Sequence, residues 1–551
     1  MATTSTAPAP ASGPPSGPPT VPEDIANSKT YRRRWAILVV LCISLLVIVL
    51  DNSILNVAIP TLIKDLGATN SQVQWMVDSY TLVFAGLLLT MGALGDRYGR
   101  RGALMAGFAL FGLGSLASAM VDSANALIVT RGFMGIGGAL IMPATLSIIT
   151  NVFPPQERGR AIGVWAGTAG IGVALGPLTG GFLLQHFYWG SIFLVNLPIV
   201  VFGLVAGVVL IPTSKDPSAP KLDPMGAVLS IVALISIVYA LIEAPSHGWT
   251  SPQTLGVLGA GLVVLALFVL WERHIDHPML DVTFFRNPRF SAANAAITMI
   301  FFAMFGSIFM LTQYMQFTLG YSPLESGVRM LPYAATMMVV APSSARIAER
   351  FGSKVTIATG MGLTSLALFL MTGLQVDTDY IQIAWRLMIM AAGMGLVMAP
   401  ATDSVMGSLP LAKAGVGSAV NDTTRQVGGA LGVAIIGSIV STVYGSKIAD
   451  FFVGKPAPKA AVDAAKNSLG SAYGVAEKLA KQPIPNAKQL SDALKATANA
   501  SFVQAFHWGV ITGGSVLVVG AIVVALFLPA RATPAQVIAQ TDQLEAEDAA
   551  L

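Results

Sequence analysis

Fourteen apolar stretches, each long enough to cross a lipid bilayer, restrict this chain of 551 residues to a membrane fold. A helix that spans the hydrocarbon core needs about 20 consecutive apolar residues. Because lipid offers the backbone no hydrogen-bond partner, we expect the spanning segments to be α-helices. The predicted spans are 35–58, 73–93, 103–120, 125–146, 160–184, 190–211, 223–243, 254–272, 292–318, 325–345, 354–373, 380–402, 415–441 and 507–529.

The composition agrees with an all-α integral membrane protein. Hydrophobic residues make up 54% of the chain, charged residues 11%, and the mean hydropathy is +0.69. The single cysteine, Cys42, lies inside the first predicted span, so no intramolecular disulfide is expected. The sequence contains no Walker-type phosphate loop, and no nucleophile–base or metal-ligand spacing was recognised. We therefore expect neither an enzyme nor a cofactor.

Positively charged loop residues predict the orientation, because cytoplasmic loops are enriched in Lys and Arg. In the predicted topology the short loops opposite the N-terminus carry only Lys64, with Arg329 just inside a span. We expect both termini to be cytoplasmic, in the inner or plasma membrane of the cell. This sorting by side explains the net charge of +4 without a nucleic-acid partner. The loops on the N-terminal side carry Arg97, Arg100, Arg101, Arg158, Arg160, Lys215, Lys221, Arg273, Arg286, Arg289, Arg346, Arg350, Lys354 and Lys413.

An internal repeat divides the chain into two halves. The loops 92–101 and 345–354 share the pattern small-x-aliphatic-small-acid-Arg-aromatic-Gly-x-cation. A looser pair begins at Arg131 and Arg386, each followed by Pro-Ala-Thr in the same span. Because such repeats define many transporters, we expect two pseudo-symmetric six-helix halves and two inserted helices. The predicted segments are a disordered tail 1–30, an N-terminal half 31–211, an insert 212–290, a C-terminal half 291–530 and a tail 531–551.

The connection 445–501 is the one long loop predicted on the external side. Its apolar residues recur at a spacing of four on either side of Gln482-Pro-Ile-Pro-Asn486. This pattern predicts two short amphipathic helices joined by a proline turn. A lid over the exit, a partner-binding hairpin and an inert insertion are all consistent with it.

Asp51 places a carboxylate inside the otherwise apolar run from Trp35 to Ala58. An ionised side chain in the hydrocarbon layer costs a few kcal/mol or more, so such residues usually face a cavity or partner and mark an ion or substrate path. We therefore expect Asp51 to take up and release a proton during transport.

Four motifs in the right order resemble the Major Facilitator Superfamily, specifically its fourteen-helix drug:proton antiporter branch, the EmrB/QacA subfamily. They are the stretch 50–60, the loop 92–101, Arg131 with Gly135, and the glycine-rich stretch 172–181. The resemblance spans nearly the whole chain. It implies a transporter, in which the glycine motif of the fifth span is associated with export.

The resemblance implies that the acid of the first span and the arginine of the fourth couple transport to protons, which assigns Asp51 and Arg131. Asp78, in a local sequence similar to members that handle cationic drugs, is assigned to both proton coupling and substrate binding. At a rise of about 1.5 Å per residue all three lie in the outer third of the membrane, where they would share one pocket. A purely structural Asp–Arg pair that fixes helix register is the alternative.

A set of loop and glycine residues is assigned to gating. Glycines permit the tight turn 92–101, and its acid and arginines would latch the two halves in the outward-open state. Simple anchoring by positive charge is the alternative. The glycines of 172–181 would form a smooth face packed against the opposite half. The assigned gating residues are Gly92, Asp96, Arg97, Gly99, Arg100, Gly176, Pro177, Glu349 and Arg350.

The ninth span offers aromatic and amide groups that would bind flat lipophilic cations by stacking and cation–π contact. The candidates are Phe305, Phe309, Gln313 and Tyr314. Family members that export dications carry an acid in the tenth span, where this chain has Met337. The leading hypothesis is proton-driven export of lipophilic, mostly cationic compounds by a monomer. A dedicated exporter of one endogenous product and a transport-dead sensor or assembly partner are the alternatives.

Overall fold

The computed structural model is an all-α bundle that describes residues 29–153, 155–214, 223–276, 278, 280, 282–408, 414–454, 457–482 and 486–529. The predicted tails lie outside the described residues apart from positions 29 and 30, as do Lys215, Lys221 and Lys413. The helices are α1 (Lys29–Leu66), α2 (Asn70–Tyr98), α3 (Arg100–Met120), α4 (Ala124–Val152), α5 (Pro155–His186), α6 (Ser191–Leu194), α7 (Asn196–Leu210), α8 (Pro224–His247), α9 (Pro252–His274), α10 (Pro288–Gln313), α11 (Pro323–Arg329), α12 (Leu331–Phe351), α13 (Ser353–Leu370), α14 (Tyr380–Met406), α15 (Ala414–Phe452), α16 (Lys459–Asn467), α17 (Leu469–Ala480) and α18 (Ala487–Phe527).

Eleven stretches within the described residues are long and apolar enough to cross a membrane. Three other long helices, α2, α5 and α12, coincide with the remaining predicted spans. All three contact the opposite half of the bundle: α2 packs on α15, and α5 packs on α11 and α12. The all-helical membrane fold predicted from the sequence is therefore confirmed.

Two one-residue turns occupy equivalent places in the repeat. Gly99 joins α2 to α3 with a φ of +130°, and Gly352 joins α12 to α13 with a φ of +87°. These left-handed values favour glycine, which has no Cβ to clash. The N–H of each turn glycine donates to the carbonyl of Gly95 or Ala348, at 2.9 and 2.8 Å. The two loops 92–101 and 345–354 thus have the same backbone geometry.

The repeat continues in the helix crossings that follow. Gly107 in α3 lies against Gly137 in α4, where a Cβ would come within 3.0 Å of the Gly137 carbonyl oxygen. Gly360 in α13 lies against Gly393 in α14, where a Cβ would come within 2.6 Å of the Gly393 carbonyl oxygen. Both pairs allow the backbones to approach closely, as small residues do between membrane helices.

The bundle has two distinct ends. The hairpin end carries the connection between α15 and α18, and the basic end carries the turns Gly99 and Gly352. The closest contacts between the two halves that we describe lie at the hairpin end. There the Gln316 side chain donates to the Val57 carbonyl at 2.9 Å, and a Cβ on Gly181 would lie 2.5 Å from Leu324.

The predicted span 190–211 is two helices rather than one. α6 ends at Leu194 and α7 begins at Asn196. Pro198 lacks an N–H, and its ring clashes with the carbonyl four residues earlier, at Leu194. This explains why the helix breaks there, which the run of apolar residues did not reveal.

The two inserted helices differ in their surroundings. α8 packs against both α2 and α15, and α9 packs mainly against α8. The Ser438 hydroxyl of α15 donates to the Leu241 carbonyl at 2.7 Å, and the Trp249 indole donates to Thr442 at 3.2 Å. The insert is therefore attached by α8 at the contact between the halves.

The long connection contains more helix than predicted. α17 corresponds to the first expected amphipathic helix, and α16 precedes it. The expectation of a second short helix is wrong, because α18 continues from Ala487 to Phe527 without interruption. Residues 487–508 contain neither glycine nor proline to end the helix. The turn residues 483–485 lie outside the described residues.

The connection touches both halves of the bundle. A Cβ on Gly470 of α17 would lie 2.5 Å from Ile63 of α1 and 2.9 Å from Phe317. The Tyr473 hydroxyl donates to the Phe317 carbonyl at 3.1 Å, and the Lys495 ammonium lies 5.7 Å from the Tyr473 ring centroid. α17 therefore packs over the hairpin end, next to the site where α1 meets the C-terminal half.

We expect cysteines at positions 63 and 470, in a Cys42→Ser background, to form a disulfide on mild oxidation, because the two side chains would be in contact. Cross-linking is measured by mobility after cleavage between the two positions. The matched control places the second cysteine at position 474 instead of 470. Gly474 lies one turn further along α17, and a Cβ there would have no atom within 4 Å. Equal cross-linking of the 63–474 pair would contradict the described packing.

Candidate functional site

Asp51 and Arg131 form a buried ion pair between α1 and α4. Arg131 Nη1 donates to Asp51 Oδ2, and the two side chains are 1% and 0% exposed. Arg131 Nε donates to the Met76 carbonyl of α2 at 3.2 Å. The Arg131 guanidinium carbon also lies 4.5 Å from the centroid of the Tyr80 ring. One cation is thus held by a carboxylate, a carbonyl and an aromatic face.

The second oxygen of the carboxylate is bound by an amide. Asn196 Nδ2 donates to Asp51 Oδ1 at 2.8 Å and to the Ser115 hydroxyl at 3.0 Å. Ser115 donates in turn to the Phe193 carbonyl at 2.8 Å, next to the break between α6 and α7. The site therefore draws on α1, α2, α3, α4 and α7 of the N-terminal half.

Asn196 and Ser115 were not singled out from the sequence. Both are fully buried, at 0% exposed. The sequence did contain a signal, because Asn196 is an amide inside an apolar stretch, two residues before a proline. Pro198 breaks the helix at this point, and Asn196 is the first residue of α7. Only the fold shows that this amide meets Asp51.

Asp78 lies at the expected depth but on another face of α2. It is eight residues from the start of α2 and Arg131 is seven from the start of α4, so both are about 10–12 Å from the hairpin end. However, Gln74 and Leu82, one turn either side of Asp78, pack toward α15, whereas Met76 and Tyr80 meet Arg131. The expectation that all three charged residues share one pocket is therefore not met in this conformation.

The surroundings of Asp78 set it apart from Asp51. Asp78 is 0% exposed, and neither carboxyl oxygen has a hydrogen-bond partner among the described residues. Its helical neighbours contact Ser438 and the apolar cluster that includes Ala430 and Ala434 of α15. Asp78 is thus buried at the contact between the two halves.

The assigned residues of the ninth span lie in different surroundings. Phe305 is partly exposed, stacks on Phe301 at 6.0 Å between centroids, and packs on α15. Phe309 and Gln313 are each 2% exposed. Tyr314 does not reach the space between the halves, because its hydroxyl donates to the Gln375 carbonyl at 2.5 Å and its ring stacks on α18. Among the four candidates, Phe305 is the most accessible.

Arg425 lies near this aromatic pair. Its guanidinium carbon is 5.6 Å from the Phe301 centroid, its Nη2 donates to Thr402 at 2.9 Å, and its Nη1 lies 3.6 Å from Asp422. The group joins α15, α14 and α10 within the C-terminal half. This agrees with a structural role for Asp422 and Arg425.

The assigned gating loops lie at the basic end. Arg97, Glu349 and Arg350 are exposed, and a Cβ on Gly92 would lie 3.2 Å from Pro143. Arg100 is only partly exposed. The side chain of Asp96 lies outside the described residues. Latching between the two loops therefore remains a prediction.

The expectation that the glycines of α5 face the opposite half is wrong for Gly172, Gly176 and Gly180, and only Gly181 of the predicted set meets that half. Gly172 and Gly180 pack on Val49 and Ile54 of α1, where a Cβ would lie 2.8 and 3.1 Å away, and Gly176 packs on Ser53. Residues spaced by four share one helix face, and this face meets α1 of the same half.

The neighbouring face of α5 meets α11 of the C-terminal half. The Pro177 carbonyl lies against Gly327, and Gly181 against Leu324. α11 begins with a capping box between Ser322 and Glu325. Pro177 and Gly181, rather than the glycine row, close the hairpin end.

Two helical halves that meet at one end, with a buried ion pair inside, are typical of membrane transporters. Residues 41–433 match the Major Facilitator Superfamily, and the chain belongs to that family. It is a multi-pass membrane transporter. The family predicted from the sequence motifs is thereby confirmed.

The relatives are named for efflux, export or resistance. The chain is 34% identical over 472 residues to the multidrug efflux pump LfrA of Mycolicibacterium smegmatis, covering 86% of this chain and 92% of that protein. It is 33% identical to the tetracenomycin C resistance and export protein of Streptomyces glaucescens, covering 90% and 91%. It is 34% identical to the methyl viologen resistance protein SmvA of Salmonella typhimurium, covering 89% and 97%.

Solved structures support the same fold. A bacterial homolog of the human lysosomal transporter Spinster, in an inward-facing and unoccupied conformation, aligns with a TM-score of 0.63 at 16% identity. The alignment covers 92% of this chain and 100% of that one.

We expect Arg131→Leu to lower the free energy of unfolding by about 3–5 kcal/mol, because it leaves the Asp51 carboxylate buried without its cation. Adding Asp51→Asn should restore most of this loss, because the unpaired charge is then removed. Thermal unfolding in detergent, followed by tryptophan fluorescence, measures both effects.

Arg386→Leu is the matched control, since Arg386 donates to the Leu370 and Gln382 carbonyls rather than to a carboxylate. Asp51→Asn should give no rescue there. A double variant at 51 and 131 that is no more stable than Arg131→Leu would contradict the argument from an unpaired charge.

Proposed function

We propose that this protein exports lipophilic, mostly cationic compounds from the cytoplasm across the plasma membrane in exchange for protons. The observation that carries the proposal is the buried Asp51–Arg131 pair in a chain whose relatives are named as multidrug and antibiotic exporters. We also propose that all fourteen long helices span the bilayer, counting α6 with α7 and α11 with α12 as single spans. The basic end then faces the cytoplasm, in keeping with its loop cations.

The electrostatics of the pair support a proton site. In the ionised state Asp51 neutralises Arg131, and the pair is closed off from solvent. Protonating Asp51 leaves the Arg131 cation buried without a counter-charge, which is unfavourable in a medium of low dielectric constant. A proton taken up at Asp51 therefore favours a rearrangement in which Arg131 gains water or another partner.

The described conformation supports the direction of exchange. The contacts of Gln316, Gly181 and Gly327 close the hairpin end, which is the external end in the proposed orientation. Opening that end would admit protons and release cargo, and closing it would return Asp51 to the enclosed state. The latch at the basic end would then stabilise the outward-open state.

Asp78 supports a second coupling step. An ionised carboxylate buried without a partner is costly, so a proton on Asp78 stabilises the contact between α2 and α15. Separating these helices would expose Asp78 to water, where the carboxyl ionises readily and attracts a cationic substrate. Proton and cation would thus compete for the same carboxylate.

A dedicated exporter of one endogenous product is the second candidate, favoured by the relative named for tetracenomycin C resistance and export. The two candidates are separated by the susceptibility profile of a deletion strain against dyes, quaternary ammonium compounds and antibiotics. A broad loss of resistance supports the multidrug proposal, and an unchanged profile supports the dedicated exporter.

We expect Asp51→Asn to abolish proton-driven export, because the amide keeps the size of the side chain but takes up no proton. In proteoliposomes with a one-unit pH gradient, the dye gradient should fall to about one from about tenfold or more, because tenfold is the limit for one proton per cation and a second proton raises it. The measurement is fluorescence of accumulated dye at equal protein content.

The matched control is Asp450→Asn, an exposed aspartate at the hairpin end. Its dye gradient should equal that of the unmodified protein. Asp51→Asn vesicles that still accumulate dye would overturn proton coupling at this residue.

We expect exchange of monovalent cations to be electrogenic if both Asp51 and Asp78 carry protons. Two protons for one cation move one net charge, and a potential of 100 mV then adds about 2.3 kcal/mol to the driving force. A potassium–valinomycin potential should therefore raise dye accumulation, and Asp78→Asn should remove this response while sparing the response to pH. A transport rate indifferent to the potential would contradict the two-site scheme.

A further inference from the structure

The amide of Asn196 meets Asp51 in an arrangement that the ion pair alone does not require. Asn196 is the first residue of α7 and its side chain spans the distance from Asp51 to Ser115. Its Nδ2 donates both of its hydrogens, to Asp51 Oδ1 at 2.8 Å and to Ser115 at 3.0 Å. Its Oδ1 is buried and accepts no hydrogen bond from the described residues.

This unused acceptor matters because a side-chain amide has a donor end and an acceptor end. The donor end suits a carboxylate, which only accepts hydrogen bonds. A protonated carboxyl presents an O–H, which needs an acceptor. Rotating the amide by about 180° would place Oδ1 where Nδ2 now lies and would meet that need.

Ser115 can follow the same change. At present its hydroxyl accepts from Asn196 and donates to the Phe193 carbonyl at 2.8 Å. A hydroxyl rotates freely and both donates and accepts. After rotation of the amide, Ser115 would donate to Asn196 Oδ1 instead, so both neighbours remain satisfied in either state.

Few other charged or titratable groups reach this carboxyl. From α4 the guanidinium of Arg131 binds the other oxygen, Oδ2. From α2 the Tyr80 ring lies against that guanidinium. The groups that α3 and α7 present to the site, Ser115 and Asn196, carry no charge. The amide is therefore the one described partner of Asp51 that can reverse its role without a change of charge.

We propose that Asn196 is a positioning residue that reverses its amide as Asp51 gains or loses a proton, with Ser115 following. This inference rests on the proposed proton coupling at Asp51. It assigns Asn196 the task of keeping both the carboxylate and the carboxyl hydrogen-bonded inside a closed site. Without the rotation the protonated carboxyl would face an N–H donor and have no acceptor for its own O–H, which carries the cost of an unmade hydrogen bond. The amide itself has one end without a partner among the described residues in each state, Oδ1 before the rotation and Nδ2 after it.

The test uses infrared difference spectra of the full-length protein in lipid, recorded between high and low pH. The C=O stretch of the protonated Asp51 carboxyl is assigned by its loss in Asp51→Asn. The amide C=O stretch of Asn196 is assigned by its loss in Asn196→Leu. In the unmodified protein both bands should appear and titrate together.

In Asn196→Leu the protonation midpoint of Asp51 should move up by about one pH unit, a tenfold change in proton affinity. The reason is that a hydrogen bond to an ionised group is roughly twice as strong as one to a neutral group, so the carboxylate loses more than the carboxyl. Asn56→Leu is the matched control, because Asn56 lies in α1 with Asp51 but donates to the Asn52 carbonyl rather than to the carboxylate. Its midpoint should equal that of the unmodified protein.

A midpoint in Asn196→Leu equal to that of the unmodified protein overturns the proposal, as does an Asp51 band that titrates without an amide band. If Asn196→Leu does not fold, Ser115→Ala decides the matter. This variant removes the second partner of the amide, so the amide band should shift in frequency, and an unshifted band contradicts the proposal. The absence of any titrating Asp51 band would overturn the proposed function itself rather than the role of Asn196 alone.

Discussion

The structure depends on the rule that a charge inside a membrane protein must have a partner. Arg131 is fully buried and has three partners among the described residues: Asp51 supplies the opposite charge, the Met76 carbonyl accepts a further N–H, and Tyr80 presents its ring. Asp51 belongs to α1 and the other two partners to α2, so together with Arg131 of α4 the ion pair fixes how three helices pack. A change of protonation at the carboxyl therefore has structural consequences beyond the pair, which is the property that a coupled transporter requires.

Close helix packing provides the second constraint. The glycine crossings at Gly107 and Gly360 hold each half together, whereas the contacts of Gly181 and Gly327 join the halves at the hairpin end. Helices of the same half contact each other along much of their length. The contacts between the halves involve the Pro177 carbonyl, the Gln316 side-chain amide and small residues. Such contacts are readily exchanged for water or for other contacts when one half rocks against the other. The external connection adds α17 across the same end, so the hairpin is part of the closed arrangement.

Much of this was predictable from the sequence. The apolar stretches predicted the helices, the matching loops predicted equivalent turns at Gly99 and Gly352, and the family motifs predicted that Asp51 and Arg131 would meet. Other features were not. The row of glycines in α5 faces its own half, and Tyr314 faces α18, because a helical pattern gives relative spacing on a helix but not which neighbour each face meets. Asp78 has the expected depth, yet the rotation of α2 directs it to α15 instead of to Arg131.

The sequence by itself determined that the chain is a helical membrane protein, because hydrophobic length and backbone hydrogen bonding leave few alternatives for such stretches in lipid. The resemblance of its motifs to a known family implied that this membrane protein is a transporter. The sequence also determined which rare charged residues needed partners. Only the tertiary structure decided what those partners are. Asn196 lies 145 residues from Asp51 in the chain and is brought to it by the break before α7 and the packing of α7 on α1 and α3. Side-chain chemistry can be read locally, but the hydrogen bonds of a buried carboxyl depend on groups that only folding brings together.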